Sequence, residues 1–267
     1  MSTAHAALVR VLGRIGDGAV ALSGGVDSVT LAALAHEVLG PRVEMIHARS
    51  PAVPPAATAR VRELARDRGW RLTILDAGEF ADPRYRANPA NRCFFCKTNL
   101  YGTMAAATDR VLLSGTNLDD LGDWRPGLVA AEQHNVRHPY VEAGIGKAAV
   151  RAMARELGLL DIAELPSAPC LSSRVETGLW IDPDTLRAID TAETELREAL
   201  APRTVRVRLR AETISIELDE TTLARLTEAE RRAWAGRIAR RFGTLLAGRP
   251  VAFAPYRQGS AFLRGAS

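Results

Sequence analysis

The three cysteines of this chain are the side chains most suited to metal or redox chemistry. Cys93 and Cys96 form C-x-x-C within "NPANRCFFCKTNLY". Cys170 lies in "PSAPCLSSR", with 73 residues between it and Cys96. An odd count in a chain read as cytoplasmic argues against a disulfide framework. A C-x-x-C pair at a loop-to-helix junction presents two thiolates to one metal, and a distant third completes a three-point site when the fold brings it close. Three thiolates without an obvious fourth ligand suit a [4Fe–4S] cluster with one open iron. Structural zinc takes four closed ligands, and His134 or His138, which lie between the cysteines in sequence, leaves a Cys₃His site open as an alternative. Three unrelated cysteines, two of them packed beside Phe94 and Phe95, are the remaining reading.

A second stretch, "AVALSGGVDS", points to phosphate. An apolar run stops at Ser23. Gly24 and Gly25 then let the backbone bend tightly and approach a ligand. A helix follows, whose first N–H groups favour an anion. Ser23 and Ser28 can donate to phosphate oxygens, and Asp27 suits Mg²⁺ bridging phosphates. The Walker A spacing is absent. Further on, "SGTNLDDLGDWRPG" offers Asp119, Asp120 and Asp123 for Mg²⁺ or nucleotide contacts, although Asn, Asp and Gly are also turn residues. In "TVRVRLRAETISIEL", Arg206, Arg208 and Arg210 share one strand face and Val205, Val207 and Leu209 the other. Alternation alone reads that charged face as solvent-exposed.

These residues need elements to hold them. "GAVALS", "RVEMIHAR", "RLTILDA" and "RVLLSGTN" read as strands separated by helices over "DSVTLAALAHEVLG", "AATARVRELARDRGW" and "CKTNLYGTMAAATD". A further helix, "KAAVRAMARELGL", follows. That alternation predicts βαβ units and a parallel sheet, with ligands beyond the carboxyl ends of the strands. "SPAVPPAATA", residues 50–59, reads as a loop. After about Val175 the pattern changes: "RTVRVRLRAETISIELDE" reads as two antiparallel strands. Thr227 and Glu230 form a capping box for a helix over "TEAERRAWAGRIARRFGTLL". "PVAFAPYRQG" reads as a strand or loop. The expected fold is α/β, with a domain over residues 1–175 and a smaller α+β domain over 176–267.

Composition narrows the class. The chain has 267 residues, is 47% hydrophobic and carries a formal net charge of +4, which is only a weak hint of nucleic-acid binding. No run approaches a membrane span. "MSTAHAALVRVLGRIGDG" lacks a signal-peptide pattern, so a cytoplasmic location is expected.

"SGGVDS" resembles the PP-loop of the ATP pyrophosphatases, which cleave ATP between the α and β phosphates. "DPRYRANPANRCFFCKTNLY", "GTNLDDLGDWRPG", "PCLSSR" and "TVRVRLRAETISIEL" together resemble the LarE family of ATP-dependent sulfur insertases, in the right order from residue 20 to about 260. The resemblance implies ATP and Mg²⁺ on Ser23, Gly24, Gly25, Asp27 and Ser28, and a [4Fe–4S] cluster on Cys93, Cys96 and Cys170. It makes Cys170, Asp123 and Arg125 the catalytic members. Ser173, Arg174, Arg206, Arg208 and Glu217 would bind the substrate phosphate, for which paired guanidinium contacts are apt. The implied substrate is pyridinium-3,5-dicarboxylate mononucleotide, on the way to the nickel-pincer nucleotide cofactor, with a sulfide donor and a homo-oligomeric state. A tRNA thiolase is the main rival, but no zinc ribbon, RNA module or lysine-rich patch supports a nucleic-acid partner. Two places depart from the family pattern. "VETGLW" follows "SSR" where a proline–tyrosine–glycine–threonine turn is usual, and Arg210-Ala211 continues the arginine strand.

Overall fold

The computed structural model describes residues 2–122, 126–166 and 169–262. The chain packs as two units, Met1–Asp82 with Cys93–Ala168, and Pro83–Arg92 with Pro169–Ser267.

The first unit is built on a sheet of β1 (Gly18–Ala21), β2 (Val43–Arg49), β3 (Leu72–Asp76) and β4 (Val111–Leu113), all parallel, in the order β3-β2-β1-β4. Alternate residues of each strand feed opposite layers. Val20, Met45 and Leu113 join a core with helices α1 (Thr3–Ile15) and α2 (Val26–Leu39). Ala19, Ile46 and Leu112 face Tyr101 and Met104 on the other side. α3 (Pro55–Asp67) links β2 to β3. Residues 50–59 are a loop only as far as Pro54, because Pro55 opens α3. A proline there has its φ already set for a helix and has no N–H to leave unsatisfied.

α2 is buried on nearly every side, from Val26 to Ala35. Its alanines let neighbouring elements approach closely, so the helix that carries the glycine loop is central to the unit. The chain runs outward from β1 through β2 to β3, then returns to place β4 on β1's other flank. That reversal puts the switch point at the carboxyl ends of β1 and β4, where doubly wound sheets take ligands.

The short α4 (Pro83–Arg86) and α5 (Arg92–Ala107) lie between β3 and β4, and α6 (Pro126–Gln133), α7 (Pro139–Glu142), α8 (Lys147–Glu156) and α9 (Leu160–Ala163) follow β4. The second unit holds α10 (Pro183–Leu200), α11 (Glu220–Arg225), α12 (Glu228–Phe242) and a sheet of β5 (Val205–Leu209), β6 (Ile214–Leu218) and β7 (Val251–Pro255). β5 and β6 are antiparallel, with Arg206 opposite Glu217, and β7 runs parallel to β6. The Thr227–Glu230 capping box starts α12 as the sequence predicts. Pro83–Arg92 packs with this unit. Tyr85 bonds Ser172 at 2.6 Å, and Asn88 donates to the carbonyls of Val175 and Glu176 at 3.3 and 2.8 Å. Among the described residues no helix is long and apolar enough to cross a membrane.

Gly24 has φ +83°, and a Cβ there would stand 3.0 Å from the Ala57 carbonyl oxygen and 3.2 Å from Val61. Gly24→Ala should therefore cost about 1–3 kcal/mol in urea unfolding. An unchanged midpoint would contradict this close approach.

Candidate active site

The loop between β1 and α2 is shaped by its own side chains. The Ser28 hydroxyl donates to the Gly25 carbonyl at 3.2 Å and accepts the Ser23 N–H at 3.0 Å. With that proton committed, Ser23 Oγ is the donor in the 2.9 Å bond between the two hydroxyls. Gly25 occupies the N-cap position of α2 and offers no side-chain acceptor, so the first turn keeps its N–H groups without a side-chain cap. Such a turn, at the positive end of the helix dipole, is a cradle for phosphate.

Asp27 sits in that turn, partly exposed. Its Oδ1 accepts from Asn117 at 3.2 Å, its Oδ2 pairs with the Lys147 ammonium at 2.5 Å, and its carbonyl accepts the Tyr140 hydroxyl at 2.9 Å. Burial pushes Tyr140 well above the usual phenol range, so it stays a donor. The β4 exit presses against the same turn: a Cβ on Gly115 would lie 2.9 Å from the Ser28 nitrogen.

The acidic loop splits into roles. Asn117 caps a short turn with Asp120 as its reciprocal partner, and Asp119 accepts the Lys147 backbone N–H. These two carboxylates shape the turn and the start of α8. Asp123 and Arg125 lie outside the described residues.

His47 supports the loop from beneath. Its Nδ1 must donate to the Leu22 carbonyl at 2.7 Å, which leaves Nε2 to accept from Thr58 at 2.9 Å. That is the pattern of the neutral ring, the form burial favours. Burial holds the His47 pKa below 6.5, the Leu22 hydrogen bond opposes this, and Arg62 adds to it. A cavity of about 410 Å³ opens at the amino ends of the strands, lined by His36, Gly40 and Arg71 among others. It lies away from the glycine loop and gathers no comparable chemistry.

Cys93 and Cys96 stand one turn apart at the start of α5, on one helix face. Cys170 belongs to the second unit and is exposed. None of the three is in a disulfide. Three thiols could supply three of the four corner ligands of an iron–sulfur cluster. Within neither unit do three described His, Cys, Asp or Glu side chains gather as a metal site. His138 bonds Ser114 at 2.8 Å, and His134 lies against the Tyr101 ring.

In the second unit the structure brings Ser173, Arg174, Arg206, Arg208 and Glu217 together. The arginine face is not solvated: Arg208 is 3% exposed. It pairs with Glu217 at 2.8 Å and donates to the carbonyls of Ser173 and Arg257. Arg174 forms a two-pronged pair with Glu193 at 2.9 and 3.0 Å and holds the carbonyls of Pro169 and Cys170. Arg174 therefore fixes the backbone at Cys170. Arg206 lies over the Tyr256 ring, and burial, then the Arg174 charge, lower its pKa from the ordinary guanidinium range. Arg210, Ser215, Glu217, Arg257 and Ser260 line a cavity of about 240 Å³. The two departures from the family pattern meet here: Glu176 of "VETGLW" pairs with Arg210 at 3.4 Å and accepts the Ala211 N–H at 3.3 Å.

Sequence reasoning missed Lys147, His47 and Glu193. Only Glu193 leaves a local signal, as an acid on the apolar stripe of α10 beside Ile189, Ala192 and Leu196.

A parallel sheet whose switch point carries an S-G-G-x-D-S turn opening a central helix defines a PP-loop-like α/β protein. No family model matches the chain. It is 37% identical over 215 residues to an uncharacterized protein of Synechocystis sp., covering 79% of this chain and 80% of that one. It is 30% identical over 228 residues to the pyridinium-3,5-bisthiocarboxylic acid mononucleotide synthase of Lactiplantibacillus plantarum, covering 84% and 82%. An uncharacterized protein of Methanocaldococcus jannaschii is 27% identical over 215 residues, covering 79% and 81%. The chain belongs to the LarE family, that of the Lactiplantibacillus synthase.

Two outcomes follow. Glu193→Ala leaves Arg174 buried without its carboxylate and should cost about 3–5 kcal/mol in chemical unfolding; a cost within experimental error would show that the pair is dispensable. The unfolded chain binds the His47 proton near pH 6.5 and the folded chain resists it, so this stability is present above that pH and lost as pH falls. His47→Gln should therefore be less stable at pH 7, yet lose stability less steeply on acidification to about pH 5. A slope identical to wild type would exclude His47 as a contributor.

Proposed function

We propose that the protein is an ATP-dependent sulfur insertase acting on pyridinium-3,5-dicarboxylic acid mononucleotide and converting its carboxylates to thiocarboxylates. The observation that carries this reading is the similarity along most of both chains to a synthase whose name states a pyridinium 3,5-bisthiocarboxylic product. Two exchanges of oxygen for sulfur relate the dicarboxylate to that product. In this reading it is an intermediate of the nickel-pincer nucleotide cofactor.

Ser23, Gly24, Gly25, Ser28 and the first turn of α2 hold the triphosphate, and Asp27 takes Mg²⁺. A carboxylate is a poor electrophile, so it must be activated. Its oxygen attacks the α-phosphorus, the bond to the bridging oxygen breaks, and pyrophosphate leaves with that electron pair. Sulfide then attacks the acyl carbon of the mixed anhydride, and AMP leaves with the former carboxylate oxygen. Asp123 and Arg125 attend the reacting carboxylate, and Ser173, Arg206 and the arginine–glutamate cluster of Arg174, Arg208 and Glu217 form the phosphate end of the substrate site. Cys93, Cys96 and Cys170 would hold a [4Fe–4S] cluster, which would supply the sulfide. The cluster assignment rests on the family resemblance and the three free thiols. Sulfide must be resupplied after each transfer, by a donor acting on a homo-oligomeric enzyme.

The test uses protein prepared anaerobically, with ATP, Mg²⁺ and sulfide, offered either the mononucleotide or bulk tRNA. Pyrophosphate, AMP and a product heavier by the oxygen-to-sulfur difference should form with the mononucleotide alone. Cys170→Ala should lose the sulfur-containing product. Turnover with tRNA alone would make the protein an RNA thiolase and refute the proposal.

A further inference from the structure

The exit of β4 holds an imidazole beside the glycine loop. Ser114 follows β4, and the His138 ring bonds its hydroxyl through Nδ1 at 2.8 Å. That hydroxyl is itself held, by the Thr116 hydroxyl at 2.9 Å and the Thr116 N–H at 3.3 Å. The Arg137 backbone runs alongside β4, donating to the Leu112 carbonyl at 2.8 Å and accepting the Ser114 N–H at 3.0 Å. His138 is thereby delivered to the carboxyl edge of the sheet. Gly115, next to Ser114, packs on the Ser28 nitrogen, and Tyr140, two residues past His138, bonds the Asp27 carbonyl. Lys97, next to Cys96 on α5, is close enough for its charge to act on the ring. His138 therefore stands near both the glycine loop and the thiol-bearing turn of α5.

The ring is fixed at one nitrogen and open at the other. Nε2 has no protein partner among the described residues, and the residue is only partly buried. Burial holds its pKa below the ordinary imidazole range, Glu142 opposes this, and Lys97 reinforces it. Arg137 draws the Glu142 carboxylate into a pair of its own. A neutral imidazole oriented by a fixed hydroxyl has the form of a general base. Other titratable groups at the loop are committed. Asp27 is bonded to Lys147 and Asn117, and Asp119 and Asp120 hold backbone N–H groups. Both ring nitrogens of His47 are engaged, and Tyr140 is a buried donor.

We propose that His138 is the proton acceptor of the sulfur step. The proposal rests on the acyl-adenylate reading above. The nucleophile in sulfur chemistry is the anion, so a proton must leave hydrogen sulfide before it attacks. Hydrogen sulfide gives that proton to Nε2, and the electron pair of the S–H bond stays on sulfur. The hydrosulfide sulfur then bonds the acyl carbon. The bond from that carbon to the phosphoryl oxygen breaks, and AMP leaves with the pair. The thioacid loses its remaining proton to water, and the imidazolium returns its own to solvent.

The experiment separates the two half-reactions in wild type and His138→Gln, with ATP, Mg²⁺ and the pyridinium mononucleotide under anaerobic conditions. Hydroxylamine traps the acyl-adenylate as a hydroxamate and needs no proton removed before it attacks. Sulfide reports the sulfur step. His138→Gln should slow thiocarboxylate formation about a hundredfold and leave hydroxamate formation within about twofold of wild type. Its residual sulfur step should climb steeply as rising pH ionises hydrogen sulfide in solution, where wild type is flatter, and added imidazole should restore part of the rate. Equal loss of both products would mark a structural role and overturn the proposal, as would an unchanged sulfur step. Wild-type protein that forms no hydroxamate would remove the acyl-adenylate reading itself, and this proposal with it.

Discussion

The exit of β4 lies so close to the first turn of α2 that Gly115 has no space for a methyl group, which would fall 2.9 Å from the Ser28 nitrogen and 3.0 Å from the Asp27 carbonyl carbon. Much of the candidate site depends on that approach. It brings Asn117 within hydrogen-bond reach of Asp27 and carries the capped turn whose Asp119 seats the start of α8. Lys147 and Tyr140 then reach the loop from the same direction. The strand order reverses between β1 and β4, so this switch point follows from topology and its close packing from a few small residues. A larger residue at 24, 115 or 146 would move a wall of the site before it touched any ligand.

The second unit solves a different problem. Arg174 and Arg208 are almost fully buried, each matched by a carboxylate, Glu193 or Glu217. Removing two charges from water is costly, and a buried pair is only weak evidence of stability. What these pairs do supply is orientation. Arg174 holds the carbonyls of Pro169 and Cys170, and Arg208 holds that of Ser173, so the backbone around the third cysteine is tied to α10 and the small sheet. Glu176, Arg210 and Ser260 extend the same network around Glu217. Glu176 thus joins the "VETGLW" turn to Arg210 and Ala211 at the edge of that cavity.

Local signals were enough for the parallel sheet, the glycine loop and the antiparallel β5–β6 pair. An apolar run, two glycines and a helix period lie within a few residues of one another. The arginine strand shows where such reading stops. Alternation at 205–210 describes a charged face but not its surroundings, and the carboxylates that bury it come from α10 and the neighbouring strand. Lys147 is less visible still: its partner is 120 residues away, and nothing near "GIGKAAV" marks it. The ten residues before Cys93 pack with the second unit through Tyr85, Asn88 and Arg92, contacts that no local pattern announces. Asn88, at φ +55°, turns the chain there.

The central claim is that the glycine loop serves the transfer of an adenylyl group to a carboxylate. The most direct measurement follows oxygen. Substrate labelled with ¹⁸O in its carboxylates should be turned over with sulfide, and the AMP analysed by mass spectrometry. The account predicts one labelled oxygen in each AMP released, because the carboxylate oxygen that attacks the α-phosphorus leaves with it. Unlabelled AMP, or ADP as the nucleotide product, would contradict it.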